Sequence, residues 1–246
     1  MNEEDEPYRY WKGMPIEDYR KTVDYWRNLF RVTEFENLDN VFIRFYEAWG
    51  IQINGLHISD NGVPLRPPLT KYRDEILRDR ILERKPPTAD MLIVAFWDAR
   101  FAFNMGFDGY DITGIEPYRR AVMVANRSKD ELFLEHRKRF KFNYGFAEFL
   151  EDYGQYDVIV NFCLEHVRDP RHVIEEALRH LKPDGCAYFT PPIKHGCGSP
   201  EHLHWFMSED DLNALVPDGY KTHITRELFT RKTKRQNVFI MEVSKC

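Results

Sequence analysis

The chain has 246 residues, enough for one domain with an appendage and for a sizeable buried core. Hydrophobic residues make up 43% and charged residues 30%, as in ordinary globular proteins, and the formal net charge of -5 excludes a general basic field for nucleic acid. No apolar run approaches the length of a membrane span, and the acidic start at residues 1–6 does not resemble a signal peptide.

The first 86 residues predict a helical unit of their own. Apolar side chains recur there at helical spacing, and the basic residues alternate with acidic ones, which predicts a solvated helix face. Helices are predicted at Pro15–Val32, Leu38–Trp49 and Leu69–Lys85. Two prolines, Pro86 and Pro87, then mark a border. We therefore predict an N-terminal helical extension at 1–86, placed as a cap, and a second domain at 87–246.

Strand and helix patterns alternate in the second domain. The predicted strands are Met91–Trp97, Tyr110–Ile115, Arg139–Asn143, Tyr156–Phe162, a run after Gly185, Lys221–Leu228 and Gln236–Val243. The predicted helices are Tyr118–Arg127, Phe146–Asp152, Arg171–Leu181 and Ser208–Val216. Strands separated by crossover helices predict a parallel sheet with right-handed connections, whose ligands bind at the carboxyl ends of the strands.

The segment Gln155–Pro192 carries the most specific pattern of the chain. It contains YDVIVNFCLEHVRDP followed by ALRHLKPDG, and later the segment His202–Val216 reads HLHWFMSEDDLNALV. Both stretches resemble class I S-adenosylmethionine (SAM)-dependent methyltransferases. The resemblance implies a doubly wound α/β fold with a mostly parallel, seven-stranded Rossmann-like sheet and an antiparallel hairpin at one edge. It also implies SAM as the cofactor.

One requirement of a SAM site looks fulfilled. An acid after the second strand should bind the ribose hydroxyls, and the segment DITGIEP places Glu116 at that position of the family pattern. The alternative interpretation is a surface acid at the start of the following helix.

The glycine-rich turn after the first strand departs from the family. The sequence MLIVAFWDARFAF has Ala95, Trp97 and Ala99 where the family has glycines, and a bulky side chain is disfavoured at positive φ. Either this loop is rebuilt and binds SAM differently, or the site has decayed and no longer binds it. Asp98 is a candidate for a compensating carboxylate near the cofactor amine.

Three further residues are candidate cofactor contacts. In the segment YGFAE, Phe146 stands where the family often has an adenine-contacting Asp, and it could stack on the adenine or be a core residue. Asn161 and Phe162 end the fourth predicted strand, so they are expected at the carboxyl ends of the strands, where the ligand binds.

Methyl transfer to a hydroxyl needs a base, and His is the usual base near neutral pH. The candidates are His166 after the fourth strand, and His202 and His204 after the fifth. The alternative for each is a structural, hydrogen-bonded His. No metal is predicted, because His202 and His204 alternate and would face opposite ways in an extended segment, although His195 with His202 or Cys197 remains possible.

The four cysteines lack CxxC spacing, which argues against a zinc knuckle or redox pair and for a reducing, cytoplasmic compartment. The function predicted from the resemblance is SAM-dependent methyl transfer to a small molecule or glycan, at a hydroxyl oxygen, with no nucleic-acid partner. The alternative is a catalytically inactive protein of the same fold that serves as a binding or regulatory partner. A dinucleotide oxidoreductase is a weaker alternative, because the sequence lacks GxGxxG.

Overall fold

The computed structural model describes residues 72–150, 153–193, 202–231 and 234–246, together with residues 17, 21, 24, 66, 67 and 69. Of the predicted helix Pro15–Val32 only three residues are described, and the predicted helix Leu38–Trp49 lies outside the described part of the chain.

Seven strands form one sheet within these residues. They are β1 (Asp90–Val94), β2 (Asp111–Glu116), β3 (Phe140–Tyr144), β4 (Tyr156–Asn161), β5 (Leu181–Phe189), β6 (Tyr220–Arg231) and β7 (Lys234–Lys245). The helices are α1 (Tyr72–Arg84), α2 (Arg100–Asp108), α3 (Arg119–Asp130), α4 (Leu134–Arg137), α5 (Pro170–Arg179) and α6 (Glu209–Asn213).

The strand order is β3-β2-β1-β4-β5-β7-β6. The first five strands pair in parallel, whereas β7 runs antiparallel to both β5 and β6, so the sheet is mixed. This is the predicted α/β Rossmann-like sheet of seven strands with an antiparallel hairpin at one edge. The reversal of strand order between β1 and β4 places a ligand crevice at their carboxyl ends.

Helices cover both faces of the sheet because the central strands are apolar on both sides. Along β1, Met91 and Ile93 belong to one buried cluster with α1, α2 and α3, while Leu92 and Val94 belong to a second cluster with α5 and α6. This alternation follows from the period of two in a strand.

Local signals set the starts of two helices. Asp169 precedes α5, its side chain accepts a hydrogen bond from the His172 N–H (3.1 Å), and Pro170 occupies the first helical turn. Ser208 and Asp211 form a capping box at α6. Both helices lie close to their predicted bounds, although α6 ends at Asn213 instead of Val216.

The predicted elements differ from the structure most clearly in three places. Strand β5 begins at Leu181 instead of after Gly185, so the segment Lys182–Gly185 belongs to the strand. Strand β1 ends at Val94 instead of Trp97, because Ala95 and Trp97 have left-handed φ values. The predicted helix at Phe146–Asp152 is wrong for the residues described, which form turns up to Leu150. Phe146 packs into the first core cluster, whereas Leu150 packs into the second, so tertiary packing overrides the helical pattern.

Helix α1 precedes the predicted border at residue 86. Its residues Leu77 and Ile81 are fully buried in the same cluster as β1 and α2, and Arg80 and Arg84 form ion pairs with Glu227 of β6 (2.6 Å) and Glu242 of β7 (2.8 Å). Most of the region before the border lies outside the described residues, so the division into two domains stays a prediction. None of the described helices is long and apolar enough to cross a bilayer.

Candidate active site

The candidate site lies where the parallel strands end. Strands β1 and β4 are neighbours, and the Phe162 N–H donates to the Val94 carbonyl oxygen (3.2 Å), so the loops that follow them start side by side. Strand β2 joins on the other side through the Ala95 N–H, which donates to the Ile115 carbonyl oxygen (2.8 Å). Every cofactor or catalytic candidate from the sequence is the last residue of a parallel strand or lies in the segment that follows one.

The loop after β1 keeps a glycine-type backbone without glycines. Ala95, Trp97 and Ala99 have φ values of 58°, 58° and 60°, all in the left-handed region that favours glycine. An L-residue in this region costs roughly 1–2 kcal/mol relative to the right-handed one. Strained residues persist only where the surrounding structure determines them, and they cluster at functional sites. Three strained residues in one loop therefore indicate that this turn belongs to a functional site.

Glu116 fixes the same loop from the end of β2. Its carboxylate is buried, with Oε2 accepting from the Trp97 N–H (3.1 Å) and Oε1 accepting from the Tyr118 N–H (3.1 Å). Glu116 is therefore not a surface acid. The carboxylate connects the turn after β1 with the turn after β2.

Asp98 lies between the strained residues of the loop and faces the start of α2. Its Oδ1 accepts from the Arg100 N–H (3.2 Å), and its Oδ2 lies 3.2 Å from Arg100 Nε. The side chain is 28% exposed. These contacts orient Asp98 at the first turn of α2, where a carboxylate interacts favourably with the helix dipole.

Asn161 is the last residue of the central strand β4, and Phe162 follows it at the carboxyl end of the sheet. Asn161 is 1% exposed, its Oδ1 accepts from the Cys163 N–H (3.0 Å), and its Nδ2 has no hydrogen-bond partner among the described residues. A buried amide donor without a partner is costly, and it points to a ligand acceptor or water. The Phe162 ring packs edge-on against Phe101 and lies under the Arg73 guanidinium, 4.5 Å from the ring centroid.

The connection after β3 brings Phe146 and Glu148 to the same edge. Phe146 is 4% exposed and belongs to the core cluster that contains Phe142. Gly145 precedes it, and a Cβ there would lie 2.4 Å from Ile115 Cγ2, so the backbone passes directly over the end of β2. Burial raises the pKa of Glu148 above its usual value.

Cys163 lies among the acids of the site. Burial raises the pKa of its thiol well above the ordinary value, and the carboxylates of Glu148, Glu165 and Glu116 raise it further in that order. Three acids at or after the ends of three different strands therefore act electrostatically on one thiol. The thiol is held protonated, which makes it a poor nucleophile, while the surroundings favour a cationic ligand.

Two of the three candidate histidines come together. The His166 ring centroid lies 4.8 Å from that of His202 and 6.1 Å from that of Trp97, and Trp205 lies 4.7 Å from His202 on the other side. His166 Nε2 is 3.6 Å from Glu165 Oε1. This row of rings extends from the loop after β1 to the segment after β5.

His204 is directed elsewhere. Its Nε2 pairs with the Arg168 carbonyl oxygen (3.2 Å), whereas the ring of His202 contacts His166. The alternation of the two side chains along an extended segment is as predicted. The other candidates of this segment, His195 and Cys197, lie outside the described residues.

Sequence reasoning gave no role to five residues at the carboxyl ends of the strands: Arg73, Glu148, Cys163, Glu165 and Trp205. For Glu148, Cys163 and Glu165 a signal was present, because they lie inside the segments that carry the family resemblance, YGFAE and NFCLEH. No local pattern distinguishes Arg73 from the solvated basic residues of α1. Its position over Phe162 follows only from the way α1 packs on the sheet.

A family model described as a methyltransferase domain matches residues 98–233. These 136 residues are more than half of the chain, and they begin after Ala95 and Trp97, the positions at which the sequence departs from the glycine-rich pattern. No curated protein matches the chain by sequence.

Solved structures with the same fold include the glycopeptide N-methyltransferase MtfA complexed with SAM, with a TM-score of 0.56, 12% identity, and coverage of 73% of this chain and 100% of that one. TehB from Haemophilus influenzae matches with a TM-score of 0.58, 13% identity, and coverage of 73% and 64%. Precorrin-6y C5,15-methyltransferase from Geobacter metallireducens matches with a TM-score of 0.53, 14% identity, and coverage of 74% and 93%. At these identities the likeness concerns the fold.

Proposed function

Since this chain belongs to the methyltransferase-domain family, we propose that it is a SAM-dependent methyltransferase of the cytoplasm, which methylates a hydroxyl oxygen of a small molecule or glycan. SAM would supply the transferable methyl group, carried on a positively charged sulfonium. The work of the protein is to hold the two reactants in line, to exclude water and to accept the proton of the hydroxyl.

The supporting observation is the loop after β1. Three non-glycine residues hold left-handed φ values there, and the Glu116 carboxylate fixes the loop by accepting the Trp97 N–H. The left-handed φ values cost roughly 1–2 kcal/mol per residue, and strain of this kind clusters at ligand-binding and catalytic sites. We infer that this backbone is retained because it holds a cofactor.

The polar and charged groups at the carboxyl ends of the strands suit SAM as the cofactor. Its ribose hydroxyls would donate to the Glu116 carboxylate, and a polar atom of the cofactor would accept from Asn161 Nδ2, which has no partner among the described residues. The buried carboxylates of Glu116 and Glu165 would create a negative potential that suits a sulfonium and an amine. Ala95, Trp97 and Asp98 would contact the cofactor from the rebuilt loop, and Phe146 and Phe162 would pack against it.

The acceptor would lie on the side of His166 and His202. A hydroxyl must lose its proton as its oxygen is methylated, and the His166–Glu165 pair is a suitable proton acceptor, because the carboxylate stabilises the imidazolium. His204 would not contact the acceptor directly, because its ring pairs with the Arg168 carbonyl oxygen; it would help to hold the segment that carries His202. The N-terminal extension, in which Arg73 already contacts Phe162, would cover the mouth of the site.

One observation favours the alternative, a non-catalytic protein of this fold. The Trp97 side chain stands where the family has a glycine, and its ring packs 6.1 Å from that of His166, in the region proposed for the reacting groups. In this alternative the indole replaces part of the cofactor and the edge serves as a binding surface for a protein partner.

Binding of SAM and S-adenosylhomocysteine separates the two functions. A ligand that binds only the native state at 100 times its Kd stabilises the protein by about 2.7 kcal/mol, which a thermal shift would detect. We expect a clear shift with both ligands. Calorimetry that finds no binding of either at millimolar concentration would reject the enzyme and favour the alternative.

Glu116→Gln tests the assigned site, with Asp111→Asn as the matched control. Both carboxylates belong to β2, but Asp111 is exposed at the amino end, where it pairs with Arg139 (3.3 Å). Hydrogen bonds to charged groups contribute about 1.5–3 kcal/mol, so Glu116→Gln should weaken SAM binding by roughly 10- to 100-fold. Equal affinities of the two variants would show that Glu116 does not bind the cofactor.

A further inference from the structure

We propose that Glu165, His166 and His202 form a binding site for one divalent transition-metal ion, of which Zn²⁺ is the best match. In the described part of the chain these residues form the one group of His, Cys, Asp or Glu side chains arranged to hold a metal. One carboxylate oxygen and two imidazole nitrogens all lie within 4.8 Å of one another.

Backbone hydrogen bonds bring the three residues together. Glu165 and His166 belong to the turn after β4, and the His166 N–H donates to the Cys163 carbonyl oxygen (2.9 Å). The Glu165 carbonyl oxygen accepts from the N–H groups of both Leu203 (2.9 Å) and His204 (3.3 Å). The segment that carries His202 is therefore docked on the turn that carries the other two donors, so the site is preorganised by the main chain.

The distances are close to those that a metal needs. Ligand atoms about 2.0–2.2 Å from a tetrahedral Zn²⁺ lie about 3.4 Å apart. His166 Nε2 and Glu165 Oε1 are 3.6 Å apart. The three ligand atoms all lie within 4.8 Å of one another, so the widest separation exceeds that of a tetrahedral site by about 1.4 Å at most.

The donor set selects the class of metal. Two imidazoles and one carboxylate are typical ligands of catalytic Zn²⁺ sites and of non-haem Fe²⁺ sites, whereas Ca²⁺ and Mg²⁺ prefer oxygen ligands. Glu165 is 6% exposed and His166 is 4% exposed. A bound cation interacts strongly with a carboxylate in such a buried, low-dielectric position.

The structure removes the sequence argument against a metal. That argument paired His202 with His204, which face different ways. The partner of His202 is instead His166, whose ring is 4.8 Å away, although 36 positions separate the two residues along the chain.

A metal here would change how the acceptor is activated, a consequence that rests on the proposed function. The His166 ring lies beside Trp97 of the loop after β1, so an ion would sit next to the proposed cofactor edge. A hydroxyl bound to Zn²⁺ loses its proton far more readily than a free one. His166 would then act as a ligand, and the proton would leave the metal-bound hydroxyl for solvent instead of passing to an imidazole.

The experiment is a Zn²⁺ titration of untagged, chelator-treated full-length protein by calorimetry, followed by metal analysis after dialysis. We expect one ion per chain for the wild type. His166→Gln and His202→Gln should each weaken binding by about 100-fold or more, since even residues that only orient metal ligands change affinity 10- to 100-fold. His204→Gln is the matched control, because its ring pairs with the Arg168 carbonyl oxygen outside the cluster.

A second measurement excludes loss of folding as the cause. Co²⁺ bound by the wild type should give visible d–d absorption, which His202→Gln should lack while its circular dichroism matches that of His204→Gln. Absence of Zn²⁺ binding by the wild type at micromolar concentration, or equal binding by all three variants, would overturn the site. SAM binding measured on the metal-free protein is independent, so failure of the metal proposal leaves the proposed function standing, and the converse also holds.

Discussion

The loop after β1 and the loop after β4 lie side by side at the carboxyl end of the sheet. They differ in how closely their sequences follow the family pattern. The loop after β4 keeps the family sequence, NFCLEHVRDP, and its residues Asn161 to His166 form a compact turn. The loop after β1 has lost the glycines, yet Ala95, Trp97 and Ala99 adopt glycine-like φ values. Residue type and backbone conformation can therefore diverge when neighbouring groups hold the backbone in place.

The group that holds the divergent loop is Glu116. Its carboxylate accepts the Trp97 N–H, and the Ala95 N–H is bound by the Ile115 carbonyl oxygen of the same strand. The loop after β4 is held by the Cys163 N–H on Asn161 Oδ1 within it, and by main-chain hydrogen bonds to neighbouring segments. The comparison predicts that the loop after β1 depends on the side chain of one distant residue, whereas the loop after β4 depends on main-chain contacts and on its own Asn161.

The largest expected effect comes from Glu116→Ala. Its removal leaves the N–H groups of Trp97 and Tyr118 without their acceptor, and each unsatisfied buried donor costs about 1–3 kcal/mol. We expect the free energy of unfolding to fall by about 3 kcal/mol in urea. Asp111→Ala, at the exposed end of the same strand, should change it by less than about 0.5 kcal/mol. Similar losses for both variants would contradict the support assigned to Glu116.

An intermediate effect is expected at the amino ends of β1 and β4, opposite the two loops. One lysine supports both strands there, so we expect no difference between them. Lys182 Nζ bridges Asp90 of β1 (2.7 Å) and Asp157 of β4 (2.8 Å). Burial alone would raise the pKa of Asp157, but the hydrogen bond from Lys182 lowers it below the usual value. Lys182→Met should therefore cost about 1 kcal/mol of stability at pH 7.

The pH dependence of that cost has a definite sign. A carboxyl with a lowered pKa in the folded state contributes stability above its unfolded pKa of about 3.9 and loses it as the pH falls through the folded pKa. The difference between wild type and Lys182→Met should shrink below about pH 4 in urea unfolding series. Lys141→Met, at an exposed position of β3 where the described residues show no ion pair, serves as the control. A difference that grows in acid would refute the assignment.

The smallest effect has the opposite sign. Ala95→Gly and Ala99→Gly should each raise the free energy of unfolding by about 0.5–1 kcal/mol, because relief of the left-handed strain exceeds the loss of one buried methyl group and the extra chain entropy. Ala102→Gly, inside α2 and fully buried, should lower it by about 1 kcal/mol or more. Equal destabilisation by all three substitutions would show that the strained φ values are not those of the protein in solution.

Much of the fold follows from local patterns. In the unit from β4 through α5 to β5, β4 and α5 lie within about two residues of their predicted bounds, because apolar periodicity and the Asp169-Pro170 helix start agree. Strand β5, by contrast, begins at Leu181 and includes Lys182–Gly185, the segment predicted to separate the helix from the strand. The short helix predicted at Phe146–Asp152 is wrong, since Phe146 and Leu150 pack into different clusters on the two faces of the sheet. Periodicity in so short a segment carries little energy compared with burial of two large side chains.

The sequence by itself determined that this protein has a seven-stranded Rossmann-like sheet of the methyltransferase family, and that its candidate site lies at the carboxyl ends of the strands. Those properties depend on periodicity and motif spacing, which are local. Only the tertiary structure decided that Ala95, Trp97 and Ala99 retain the glycine-type turn, and that His202 faces His166 and Glu165. Both depend on hydrogen bonds between residues far apart in the chain, and such contacts leave no pattern in the segments that they join.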